Sequence, residues 1–166
     1  LTNWLEARKK YYREESTGIV SYPFDVRKLD EDLKQIKRKY HFIIIDSPPS
    51  ITFDTVQIIK SSDKVFVPVQ PSPLDLMATV PFLNLVKQER KKTTVILNRV
   101  MPRAKLTEAM IMRLRYAGAN IARSRITGKI IYAETFSVGR GVVDISVISE
   151  ASKEIIKVGN EILRNF

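Results

Sequence analysis

The chain has 166 residues, enough for one domain with a core of its own. Hydrophobic residues make up 44% of it, which excludes a disordered chain, and the absence of cysteine excludes disulfides and thiolate metal sites. With 28 Lys and Arg against 18 Asp and Glu the net charge is +10, a balance that favours polyanionic partners.

Taken in chain order, Thr2 to Tyr12 reads as a helix with Leu1, Trp4 and Leu5 on one face, and Glu14 to Thr17 as polar loop. Ile19 to Tyr22 suits a short strand. Asp25 can cap a helix along which Val26, Leu29, Leu33, Ile36 and Tyr40 follow helical spacing. Phe42 to Ile45 is an unbroken apolar run, the pattern of a parallel strand covered on both faces, and it ends on Asp46. Ser50 suits the cap of a helix through Thr55 to Lys60. Val65 to Val69 is a second strand, stopped by the prolines of Gln70-Pro71-Ser72-Pro73-Leu74-Asp75. A helix is expected over Leu76 to Glu89, and a third strand over Thr94 to Leu97, ending at Asn98-Arg99. Pro102 to Lys105 reads as loop, and Thr107 as the cap of a helix through about Gly118. Ile121 to Ile126 is a weak, Arg-bearing strand. Ile130 to Phe136 suits a loop or short helix, and Gly139 and Gly141 a flexible turn. A last helix, Val147 to Asn165, carries Ile148, Ile155, Val158, Ile162 and Phe166 on one side. Strands alternating with helices imply an α/β domain, a mostly parallel sheet with helices on both faces. No apolar run approaches the roughly 20 residues that span a bilayer, and no signal peptide is visible.

Asp46 has two readings. An acid at the carboxyl end of a buried parallel strand sits where open α/β sheets bind ligands, and could hold Mg²⁺ beside a nucleotide phosphate. Equally, it could cap the exit of a plain core strand. Asp46, the Pro71-Ser72-Pro73 turn and Asn98 each follow an apolar strand, so a parallel sheet would bring the three to one edge. Asn98 offers a paired donor and acceptor suited to a purine edge. His41 has no partner for a metal site and reads as structural.

These residues carry a resemblance. The chain resembles the ParA/MinD family of deviant Walker ATPases, and most of all the ParA-type partition proteins. The strand Phe42 to Ile45 with Asp46-Ser47-Pro48-Pro49-Ser50 matches the family's Asp-x-Pro-Pro-Ser element. Pro68 to Asp75 matches its Pro-Val-Gln-Pro-Ser-Pro-Leu-Asp turn, Asn98-Arg99-Val100 its adenine-side motif, and Ile126 to Gly139 a late family segment. The resemblance covers almost the whole chain. The family's Lys-Gly-Gly-x-Gly-Lys-Thr loop and first strand have no counterpart here, and the opening at Leu1, without an initiator Met, reads as the interior of a longer protein. Residues 1–166 are thus expected to form a single, incomplete ParA-like ATPase domain, inactive alone, with exposed edges where the missing strand belongs.

By position, the resemblance makes Asp46 the catalytic Walker B acid that orients Mg²⁺ through water, and Pro48 and Pro49 the switch that senses the γ-phosphate. It places Asn98, Arg99, Pro71 and Thr127 at the nucleotide, with Thr127 standing where many relatives have Pro. Arg113, Arg115, Arg123, Arg125 and Lys129 fall in the region relatives use to bind DNA without sequence preference. The complete protein would use ATP and Mg²⁺, form a homodimer when ATP-bound, and answer to a centromere-binding or relaxosome-type partner protein. It would be cytoplasmic and nucleoid-associated, moving DNA in partition or conjugative processing. The rivals are a non-catalytic DNA-binding or scaffold protein of the same fold and a MinD-like membrane-positioning ATPase. The apolar face of Ile155 to Phe166 reads as a packed closing helix rather than a membrane anchor.

Overall fold

Three parallel strands organise the chain, in the order β1-β2-β3: β1 Lys64–Val69, β2 Lys92–Val100 and β3 Ile121–Thr127. They are seen in a computed structural model that describes residues 2–12, 19–48, 50–102 and 104–164. Parallel neighbours need crossovers, and helices provide them: α4 Pro73–Gln88 joins β1 to β2, and α5 Lys105–Tyr116 joins β2 to β3. The last helix, α8 Glu150–Leu163, covers the opposite face.

The central strand explains why the runs are apolar throughout. Val95 and Leu97 face a core shared with Val69, Leu83, Met110, Ile111 and Leu114. Ile96, between them, faces Ala122 and Val158 on the α8 side. A strand covered twice must be apolar at every position, not at alternate ones. Leu97 and Leu114 are completely buried, and truncating such a leucine to Ala costs about 2–5 kcal/mol.

Helix starts depend on side-chain capping. Ser72 Oγ accepts from the Asp75 N–H at 3.1 Å, with Pro73 at the first helical position of α4. Ser149 Oγ accepts from the Ser152 N–H at 3.1 Å at the start of α8. Asp25 caps a 3₁₀ turn, Val26–Lys28, by accepting from the Arg27 N–H at 3.0 Å.

Several sequence expectations need correction. Helix α2 spans only Leu29–Ile36, so Tyr40 lies beyond it and is exposed. Thr52, not Ser50, caps α3 Phe53–Ser61; the Ser50 carbonyl instead accepts from Thr55 Oγ1 at 2.5 Å. Pro73 opens α4 rather than keeping it away until Leu76. Strand β2 runs on through Asn98 and Arg99 to Val100. Helix α5 starts at Lys105 after Ala104, and Thr107 is a buried residue inside it, not its cap. Val147 and Ile148 precede α8 and are exposed, while Phe166 and the Glu14 to Thr17 loop lie outside the described residues. Neither Ile19 to Tyr22 nor Phe42 to Ile45 is a strand. In the second segment Ile43 and Ile45 pack on Leu29, Leu33 and Ile58 of α2 and α3. Phe42 and Ile44 turn away, Ile44 being 92% exposed. One face is covered and the other is not, which is half of what a buried parallel strand requires.

Helix α1 Thr2–Tyr11 docks on α6 Ile130–Ser137 and α7 Val142–Ile145. Trp4 stacks on Phe136, ring centroids 6.1 Å apart. The Arg8 guanidinium lies 5.1 Å from the Trp4 ring centroid and 4.7 Å from that of Tyr12, and pairs with Asp144 at 2.7 Å. That bond holds the Asp144 carboxyl at about 2, below the usual carboxylate range. Gly139, with φ +72, brings its backbone against that of Arg8.

Candidate functional site

Because β1, β2 and β3 are adjacent and parallel, their carboxyl ends and the turns that leave them lie on one edge of the sheet. After β1 comes the Pro71 turn. It is stiffened by Ser72 Oγ, which donates to Asp75 Oδ2 at 3.0 Å, and by Thr79 Oγ1, which donates to the Asp75 carbonyl at 2.6 Å. Near the end of β2, Asn98 Oδ1 accepts from the Arg99 N–H at 2.9 Å. Arg99 has φ +52, the left-handed region, and the pairing of β2 with β3 slips between Leu97 and Val100. Strand β3 ends at Thr127. Pro71, Asn98 and Thr127 are half-buried and Arg99 is exposed.

Asp46 ends the extended segment outside the sheet. It is exposed, and its carboxylate has no ion pair or hydrogen bond among the described residues. Pro48 is exposed too, and Pro49 lies outside the described residues. Among the described residues no group of three His, Cys, Asp or Glu could hold a metal by itself. Asp46 is a lone exposed carboxylate, and Mg²⁺ is a cation that needs only one or two protein carboxylates, taking waters and substrate phosphates for the rest of its shell. Asp46 would hold it, and the ion would neutralise phosphate charge.

The basic residues divide. Arg113 and Arg115 lie in the last turn of α5 and are exposed, as are Arg123 and Arg125 on β3. Ile121 packs into the α5-side core while Ala122 and Ile126 pack on the α8 side, so by alternation Arg123 and Arg125 share the α5 side. Arg125 pairs with Glu108 of α5 at 3.1 Å. Lys129 is half-buried and pairs with Glu154 of α8.

An open cavity of about 380 Å³ lies on the α5 side of the strand ends, lined by Val100, Met101, Thr107 and Glu108 among others. Thr107 Oγ1 is buried without a hydrogen-bond partner among the described residues. Two carboxylates of α8 were invisible as site residues in the sequence. Glu161 accepts from the Arg123 and Ser124 N–H groups at 2.7 and 2.8 Å, and Glu154 from the Thr127 N–H at 3.0 Å. Their spacing of seven puts both on one side of α8, the only local signal they carry. No helix among the described residues is long and apolar enough to cross a membrane.

A family model described as an AAA domain matches residues 14–99. The chain is 27% identical over 140 residues to the maintenance of carboxysome distribution protein A of Halothiobacillus neapolitanus, covering 80% of this chain and 65% of that protein. It is 26% identical over 168 residues to a ParA family protein of Mycoplasma genitalium, covering 95% of this chain and 58% of that one. The chain therefore spans about six tenths of the length of these relatives. In structure it is similar to the cell division ATPase MinD of Pyrococcus furiosus, with a TM-score of 0.72 at 23% identity over 86% of this chain and 60% of that one.

Proposed function

The chain belongs to the ParA/MinD family of deviant Walker ATPases, and on that premise we propose that residues 1–166 form most of one ATPase domain for the partition or positioning of DNA. The row of strand ends supports this reading: the Pro71 turn follows β1, Asn98 lies near the end of β2 just before Val100, and Thr127 ends β3, all toward one edge of three adjacent parallel strands. Ligands of open α/β sheets bind outside such an edge. In this reading Asn98 and Arg99 meet the adenine side of ATP, with Pro71 and Thr127 around them. Asp46 orients Mg²⁺ through water, and Pro48 and Pro49 sense the γ-phosphate. ATP binding in the complete protein brings two copies face to face, and a partner protein triggers hydrolysis.

DNA contact is supported by the net charge of +10 and by the exposure of Arg113, Arg115 and Arg123. Against a membrane role stands the packing of α8, whose Val158 and Ile162 lie on Ile96 and Ala122 rather than in solvent. These 166 residues hold no Gly-rich phosphate loop, and such a loop supplies most phosphate contacts. Calorimetric titration with ATP–Mg²⁺ should thus show weak binding or none for the chain alone, and no turnover.

Joined to a phosphate-loop segment of the family, the chain should turn over ATP. Asp46→Asn keeps the size but removes the charge that holds the metal, and should lower turnover by at least about 10²-fold. Turnover unchanged by Asp46→Asn would remove Asp46 from the site.

A further inference from the structure

Donors from one short stretch converge on a single carboxylate. Glu154 accepts from the Thr127 N–H at 3.0 Å and from Thr127 Oγ1 at 2.9 Å. Tyr132 OH donates to Glu154 Oε2 at 2.8 Å, and the Lys129 ammonium bonds both Glu154 Oε1 and Thr127 Oγ1. These donors come from the end of β3, the link through Gly128 and Lys129, and the first turn of α6. One side chain of α8 thereby fixes the loop that leaves the carboxyl edge of the sheet. Burial pushes the Glu154 carboxyl up, but the hydrogen bonds from Lys129, Thr127 and Tyr132 outweigh it and leave it at about 2. Burial, and then Glu154 itself, push the Tyr132 phenol up. At neutral pH both groups hold the protonation states that the network needs.

We propose that Glu154 is a positioning residue for the nucleotide site, setting the conformation in which the Thr127 to Tyr132 loop meets the base. The inference rests on the nucleotide reading above and adds a residue and a means to it. The Thr127 N–H and hydroxyl are both engaged by Glu154, so neither is available to a ligand. What the loop presents to a base is the backbone around Gly128 and Lys129, and its shape depends on a carboxylate 27 residues further along the chain. Thr127 has a backbone free to turn and a donor to satisfy, and Glu154 engages its N–H and its hydroxyl together.

The test compares the parent, Glu154→Ala and Glu154→Gln. In the chain as it stands, amide exchange at Thr127 should quicken by about tenfold or more in Glu154→Ala, the size expected for losing a bond to a charged acceptor. Glu154→Gln keeps an acceptor and should fall between. In the chain joined to a phosphate-loop segment, Glu154→Ala should weaken ATP–Mg²⁺ binding by about tenfold and narrow the preference for ATP over GTP, a readout that loss of stability alone would not move. Unchanged exchange at Thr127 would overturn the proposal. So would faster exchange with affinity and base preference intact. A parent that binds no nucleotide even when joined to the phosphate-loop segment would overturn the proposed function itself, and this inference with it.

Discussion

Arg8 Nη1 lies 2.7 Å from Asp144 Oδ2, tying the first helix of the chain to a turn 136 residues away. Arg8 also donates to the Gly139 carbonyl at 3.3 Å, and the Trp4 indole N–H donates to the Arg140 carbonyl at 3.4 Å. The pair is mostly shielded, with the two side chains 12% and 23% exposed. It sits among ring contacts that include Arg140 over Tyr11 at 4.6 Å. Charge, stacking and a close backbone approach therefore act on one joint.

This joint should be sensitive to acid. The Asp144 carboxyl is lowered from 3.8 to about 2, chiefly by the Arg8 hydrogen bond. A depressed carboxyl stabilises the fold fully above its unfolded value, and that contribution fades as pH falls through the folded one. Trp4 is the only tryptophan and stacks on Phe136, so its fluorescence should report undocking of α1 between about pH 4 and pH 2. Asp144→Asn should lower stability by about 1–2 kcal/mol at neutral pH, allowing for partial exposure of the pair. An emission spectrum flat across that range, in parent and variant alike, would show that the pair does not hold α1.

Gly139→Ala should be more damaging than its size suggests. The residue has φ +72, and an added Cβ would lie 2.2 Å from the Arg8 nitrogen and 2.5 Å from the Ala7 carbonyl carbon. Both obstacles are backbone, so neither can rotate away. Strain at a left-handed position together with the clash should cost about 3 kcal/mol or more. Denaturant unfolding measures it directly, and a loss under about 1 kcal/mol would mean that α1 shifts freely.

On the basic surface, Arg123→Ala with Arg125→Ala should weaken binding to any duplex about equally and flatten the salt slope by roughly 2. Base preference should not change, since phosphate contacts carry no sequence information. The Arg125–Glu108 pair is exposed at both ends, so losing it should alter stability by no more than about 1 kcal/mol. Anisotropy across a salt series, on the chain joined to a phosphate-loop segment and bound to ATP, separates the outcomes. An unaltered slope would make these arginines a solvated surface and move the DNA reading to Lys34 to Lys39 or Lys87 to Lys92.

The α/β architecture is legible in the sequence because its parts are local. β1 and β2 show as apolar runs and β3 as a weaker, Arg-bearing one, and Val95 to Leu97 are apolar without a break because β2 is covered on both faces. Phe42 to Ile45 has the same composition, yet it stands outside the sheet. Whether an apolar run is paired depends on what lies beside it, which its own residues do not encode. Thr107 has the residue type of a cap, but burial of its hydroxyl inside α5 is a tertiary fact. At the candidate site, the strand-end residues Pro71 and Asn98 stand out because they interrupt apolar runs. Glu154 does not stand out, since a glutamate on an amphipathic helix is ordinary until its partners at Thr127, Lys129 and Tyr132 are brought across to it. Arg8 and Asp144 are further apart still and share no local pattern.

The two carboxylates of α8 have a consequence for handling the protein. Among the described residues strand β3 has no strand beyond it, and open strand edges invite another chain to add on. Here the Arg123, Ser124 and Thr127 N–H groups already donate to Glu161 and Glu154. The guard is ionic rather than steric. Both carboxyls are held below their usual range, so neutral and mildly acidic solutions leave it in place. Strong acid would protonate both and release the three N–H donors of β3 that they now accept from. Purification or storage at very low pH should therefore favour lateral self-association, and Glu154→Gln with Glu161→Gln should bring that behaviour closer to neutrality.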